Sequence, residues 1–189
     1  NEKWKYANAR PIADVEYSSG KFEKMDSNDI KLIAPWHESW INLLFVNGHY
    51  QETFSGSLST NIQISNMASN DLAENLTSNV GGIMDYSDDG FAALNTAFMS
   101  DGPIITVPEG ENSGIVINLI FFNQGLSDTV NYPRVLITTG GNSIVSVIEN
   151  YVGGSGDQTF TNSVSEIYVG EDATVNHYRL MNETDDTYD

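Results

Sequence analysis

The amino-acid sequence predicts a mainly β protein, a β-helix or related β-solenoid with coils of about 30 residues and two short helices. The first observation behind this is self-similarity. Shifting Pro103–Leu180 against itself by thirty residues brings Gly110, Gly140 and Gly170 into register, with Val107, Ile137 and Ile167 three positions before them and Ile115, Val145 and Val175 after them. Ser113, Ser143 and Ala173 superpose too. A fixed period of this size marks a stacked architecture, because one strand-rich unit cannot bury its apolar face without a neighbour of like shape. The second observation is punctuation. Each of the three glycines sits next to a small polar or acidic cluster (Glu111-Asn112, Gly141-Asn142, Glu171-Asp172), the composition of a corner that calls on positive φ. The rival reading is an antiparallel sandwich with evenly spaced hairpins.

In order along the chain, Asn1–Lys24 mixes aromatic and charged residues with Pro11 and Gly20, which predicts extended segments and turns. A short apolar strand is expected from Ile30 to Trp36. Asn47-Gly48 between the apolar run Leu43–Val46 and Tyr50 predicts a hairpin with a two-residue type I′ turn. Ser57–Ser65 reads as an alternating strand whose apolar members are Leu58, Ile62 and Ile64. Two helices follow. Ser69-Asn70-Asp71 caps Leu72–Thr77, and Asp88-Asp89 precedes Phe91–Met99, in which Phe91, Leu94 and Phe98 form one apolar stripe. The second helix is expected to cover an open end or face of the stack, ending at Asp101-Gly102-Pro103.

The repeat then supplies strands at Ile104–Val107, Ile115–Phe122, Arg134–Thr139, Ser143–Val152, Asn162–Val169 and Thr174–Leu180. The chain therefore divides into 1–101, strands, hairpin and short helices packing on the core; 102–181, the coils; and 182–189, an acidic tail expected to be disordered. The pattern still runs at Leu180, so the stack is expected to be continued by further chain or covered by a partner. The sequence opens at Asn1 without an initiator methionine and reads as a fragment.

Composition narrows the function. Of 189 residues, 40% are hydrophobic and 18% charged, enough to bury a core. Eight Lys plus Arg face 26 Asp plus Glu, a formal net charge of −18, and no basic residue lies between Lys31 and Arg134. Such a surface repels phosphate backbones and anionic lipid, which argues against nucleic acid and membrane surfaces and leaves basic partners or metal cations. The simplest reading of the acidity is solubility. There is no cysteine, so this chain by itself offers no disulfide, no thiolate for zinc or an iron–sulfur cluster, and no Cys nucleophile. No apolar run approaches bilayer-spanning length.

No catalytic constellation stands out. His37, His49 and His177 form no metal-binding spacing. His37 and His49 read as exposed polar residues. His177 takes the place of Ile117 and Val147 in the repeat, so it is either a hydrogen-bonded interior residue or a metal ligand, and it is the one candidate metal residue. Asp85–Gly90 has the opening of a calcium loop, but Thr96 stands where a bidentate Glu is needed, and helix capping accounts for it better. Val152–Gly156 is glycine-rich without the lysine of a phosphate loop. Asn75-Leu-Thr77 and Asn182-Glu-Thr184 match glycosylation sequons, which matter only in a secreted protein.

Several stretches carry a family resemblance in order: Glu2–Tyr6, Leu44–Tyr50 (LFVNGHY), Asp89–Phe98 (DGFAALNTAF), Asp101–Gly110 (DGPIITVPEG), Pro133–Ile137, Glu149–Gly153, Thr161–Ile167 and Asn176–Leu180 (NHYRL). Together they resemble the SufD subunits of the SUF iron–sulfur cluster assembly system. The sister SufB subunits are less similar, since their typical cysteine near Glu149–Val152 is missing. The resemblance implies a right-handed β-helix that pairs with SufB, each subunit also binding a SufC ATPase, in a cytoplasmic (or plastid stromal) scaffold. It implies no resident cofactor on this chain alone, the cluster being held transiently by the complex, and no catalysis. Beyond the position of Leu180 the family has further coils and a helical domain that contacts SufC, so no cluster-building residue transfers to this chain. A different class, a β-helical polysaccharide-active enzyme using acidic residues for calcium or acid–base chemistry, draws on the many carboxylates but has only Arg134 and Arg179 near the repeat to neutralise an acidic sugar.

Overall fold

The computed structural model describes residues 8–21, 24–55, 61–69, 81–83, 89–124, 127–153, 159–185 and 187–188. Along them run α1 (Arg10–Ala13), β1 (Ser18–Ser19), α2 (Ser27–Ile33), β2 (Ile41–Val46), β3 (His49–Ser55), β4 (Gln63–Asn66) and α3 (Gly90–Phe98). Then come β5 (Pro103–Val107), β6 (Val116–Asn123), β7 (Thr129–Asn131), β8 (Arg134–Thr139), β9 (Ile144–Gly153), β10 (Thr159–Thr161), β11 (Val164–Tyr168), β12 (Thr174–Asn182) and β13 (Thr187–Tyr188). The expected helix at Leu72–Thr77, the residues Ser57–Thr60 of the expected strand, Asp85–Asp88 and the loop after Gly153 lie outside the described residues.

The strands form three sheets, ordered β1-β7-β10-β13, β11-β8-β5-β4 and β12-β9-β6-β2-β3. From β5 onward the chain visits them in strict rotation, second sheet, third sheet, first sheet, three times over. Each return lays a strand parallel to its predecessor: Val130 pairs with Phe160, Ile137 with Ile167, Ile117 with Val147 and Val145 with Val175, all thirty residues apart. Hairpin neighbours of a sandwich do not describe this arrangement. Antiparallel pairing among the described residues is confined to β2 with β3 and β4 with β5, at one end of two sheets. The predicted turn joins β2 to β3, with Asn47 at φ 48° and Gly48 at φ 79° as a type I′ turn requires.

The repeat is not uniform. Ile105 pairs with Ile137, 32 positions on, whereas Val116 pairs with Ser146, 30 positions on, so the corner between β5 and β6 is two residues longer than its counterpart. Residues that share the left-handed conformation there are consequently Gly110 (φ 71°), Asn142 (φ 53°) and Asp172 (φ 55°), not the three glycines aligned by sequence. Gly140 and Gly170 are required for a different reason, close approach of stacked backbone. A Cβ on Gly140 would lie 2.4 Å from Glu109 N, and one on Gly170 would lie 2.7 Å from Gly140 C.

Residues of odd number on the third sheet face inward, where Ile41, Leu43, Phe45, Ile117, Leu119, Phe121, Val145, Val147 and Tyr151 meet Ile105, Val107, Val135 and Ile137 of the second sheet. Even-numbered Leu44, Val46, Ile120, Phe122 and Val152 face outward, under Ile30 and Ala34 of the α2 segment. Burial on both faces explains why β2 and β6 read as continuous apolar runs. Over Ile30–Trp36 the structure corrects the expected strand: Ile30–Ile33 belong to a helix that ends there, and Ala34 is its extended cap. Asp26 accepts from Asn28 N at 2.8 Å and starts α2, Ile30 and Ala34 recur at the helical i, i+4 spacing, and Leu32, which strand alternation would bury with them, is 85% exposed. Of the strand expected over Ser57–Ser65 the described part is β4, which begins at Gln63.

α3 starts where Asp89 accepts from the N–H groups of Phe91 and Ala92. Its expected apolar stripe is only partly covered: Phe91 and Leu94 are half-buried, with Phe91 edge-on to Phe160 at 6.1 Å, and Phe98 stacks on Tyr132 at 5.4 Å. Ala92 and Asn95 are buried and Phe98 is 60% exposed, because Asn95 Nδ2 donates to the carbonyls of Pro133 and Asn162 at 2.9 and 2.7 Å and turns the polar face inward. The helix thus rests on the corners of two successive turns of chain. A third helix, the four-residue α1, lies in the amino-terminal region, where extended segments and turns were expected. Within the acidic tail, Thr187–Tyr188 pairs in parallel with Thr159–Phe160, and Thr187 Oγ1 lies 2.9 Å from Thr159 Oγ1.

Candidate functional site

Inward-facing positions change character along the third sheet. Reading across β2, β6, β9 and β12, one row is Ile41, Ile117, Val147, His177; the next is Leu43, Leu119, Glu149, Arg179; the third is Phe45, Phe121, Tyr151, Met181. An apolar interior becomes polar over the last two strands. Glu149 is fully buried there, and its carboxylate collects four donors. His177 Nε2 donates to Oε1 at 2.8 Å, Ser165 Oγ to Oε1 at 2.7 Å and Tyr151 Oη to Oε2 at 2.7 Å, while Arg179 Nε stands 3.4 Å from Oε2. Arg179 Nη2 continues the network to Tyr151 Oη at 3.0 Å and Ser163 Oγ at 2.6 Å, and its guanidinium lies over the Tyr151 ring at 4.9 Å.

The electrostatics follow from this packing. Burial pushes the Glu149 carboxyl up, but the bonds from His177 and Ser165, the charge of Arg179 and the bond from Tyr151 outweigh it and hold the group below its ordinary range. For Tyr151, burial first and the Glu149 charge second drive the phenol far up, so it remains a donor. Burial pulls the Arg179 guanidinium down, yet Tyr151 and Glu149 together raise it above its usual value. A carboxylate only accepts, so the Nε2 of His177 carries the proton in this bond.

Chemically this is a charge-holding arrangement. Ser165 and His177 both donate to the same oxygen of Glu149, so the imidazole does not face the hydroxyl as the base of a nucleophile would. Glu149 is sealed from solvent, which sets it apart from the paired, substrate-facing carboxylates of sugar hydrolysis. Among the described residues no group of three or more His, Cys, Asp or Glu could hold a metal ion. His177 lies on an exposed stretch of β12, its side chain 29% exposed and hydrogen-bonded to the interior carboxylate. His37 is exposed, with Nδ1 2.6 Å from Ser39 Oγ, whereas His49, expected to be exposed, is half-buried with Nε2 3.3 Å from Gly20 O. The structure brings neither to His177. The thirty-residue register that singled out His177 also places Glu149 opposite Leu119 and Arg179 opposite Glu149, and that signal finds the cluster once charged residues are compared with their apolar counterparts.

A second buried carboxylate lies on the outer side of the second sheet. Glu166 forms an ion pair with Arg134, whose Nη2 and Nε both donate to Oε1 and whose side chain is fully buried. Gly81 N reaches both Glu166 oxygens, at 2.8 and 3.0 Å, and Arg134 Nη1 donates to Asn95 Oδ1 and Thr96 Oγ1.

Residues 121–189 match the family model described as SUF system FeS cluster assembly, SufBD core domain. That interval holds both carboxylate clusters apart from the Asn95, Thr96 and Gly81 contacts. All of the chain aligns, over 202 residues at 24% identity, with an iron–sulfur cluster assembly SufBD family protein of Synechocystis sp.. The chain spans 44% of that relative's length. Neither match separates SufD from SufB: residues 121–189 are similar to the SufBD core domain, and the whole chain is similar to a SufBD family protein.

Proposed function

We propose that this chain is part of a non-catalytic, SufD-like scaffold subunit for iron–sulfur cluster assembly, working with SufB-like and SufC-like subunits in the cytoplasm or a plastid stroma. The observation that carries the reading is the SufBD core match over 121–189, which falls on the strands that return in rotation to three sheets. We read those sheets as the faces of a right-handed β-helix formed by 102–181, against which 1–101 packs. Parallel strands joined by crossovers within one sheet are right-handed in about 98% of cases, and the thirty-residue pairing step is what a coil of three strands and three corners requires.

A scaffold role also suits the chemistry. The buried carboxylates Glu149 and Glu166 are each committed to partners within the chain, and the sequence has no cysteine, so thiolates for a cluster would come from a partner chain. The cluster is then cargo of the assembly and not a resident cofactor of this chain. Co-expression with SufB and SufC of the same source, followed by affinity capture and mass determination by size exclusion, tests the reading. Stable co-elution with SufB is expected; a folded chain extended beyond Asp189 that captures neither subunit would overturn it.

A further inference from the structure

We draw no further inference here: the strongest candidate, the cleft of about 210 Å³ lined by Phe91, Phe160, Ser163, Arg179 and Met181 beside the exposed edge strand β12, has its charged wall residue Arg179 already committed to Glu149, Tyr151 and Ser163, and nothing in the structure shows what covers it.

Discussion

Glu149 and Glu166 are both buried carboxylates on the repeat, yet they are neutralised in opposite ways. Glu166 meets one fully buried guanidinium, with Gly81 and Asn95 satisfying what remains of the pair. Glu149 is shared among two hydroxyls, an imidazole and a guanidinium, and the latter two stand on a strand that is largely exposed, His177 at 29% and Arg179 at 38%. The difference teaches where charge is structural and where it is adjustable. A pair sealed on both sides cannot lose a member without leaving a bare ion, whereas a carboxylate with several donors keeps most of its solvation when one is removed.

The sharpest way to break this comparison is Arg134→Met. It leaves Glu166 without its cation and is expected to cost about 3–5 kcal/mol in urea unfolding. Glu149→Gln keeps the shape but gives up charge-assisted bonds from His177 and Arg179, with an expected loss of about 2 kcal/mol. Equal losses from the two variants would erase the distinction between sealed and shared charge. The next test is pH. Glu149 has a folded pKa below its unfolded value of about 4.3, so its stabilisation is complete above that value and disappears as pH falls through the lower, folded one. The gap in urea midpoint between wild type and Glu149→Gln is therefore expected to shrink over that acid window and to stay flat above it; a constant gap would mean that the carboxylate is not held by its donors.

Smaller effects probe individual donors. His177→Ala removes one of four contacts at a partly exposed position and is expected to cost about 1 kcal/mol by thermal or urea unfolding. Arg179→Lys keeps the positive charge but loses the planar contact over Tyr151, for about 0.5 kcal/mol. A loss from either that matched Arg134→Met would show that this cluster is as rigid as the outer pair.

Much of the architecture was legible because a stacked chain must repeat its pairing. The thirty-residue step, the Asn47-Gly48 hairpin and the Asp89 cap are all local or periodic signals, and each corresponds to an observed pairing or bond. Less was legible where tertiary contacts override pattern. β7, β10 and β13 are two or three residues long, too short for any alternation to register, and they exist because the neighbouring turn of chain supplies the partner. α2 was missed because Ile30, Leu32 and Ala34 alternate like a strand, while the deciding residue, Asp26, lies outside the apolar run. His177 was legible as an anomaly at an apolar position; Glu149, to which it is bonded, was hidden inside the apolar-looking run of β9.

The two reversed strands have a consequence for how copies of the molecule can meet. β3 and β4 run against the strands they pair with, whereas β1, at the edge of the first sheet, runs with its neighbour. That end therefore offers edges of mixed direction. A second copy arriving by simple translation would present forward-running strands to all three sheets, matching the pairing sense of the first and opposing that of the other two. Among the described residues, a strand added in the forward direction at that end would pair in parallel on the first sheet and antiparallel on the other two, so the three edges are not extended in one pairing sense.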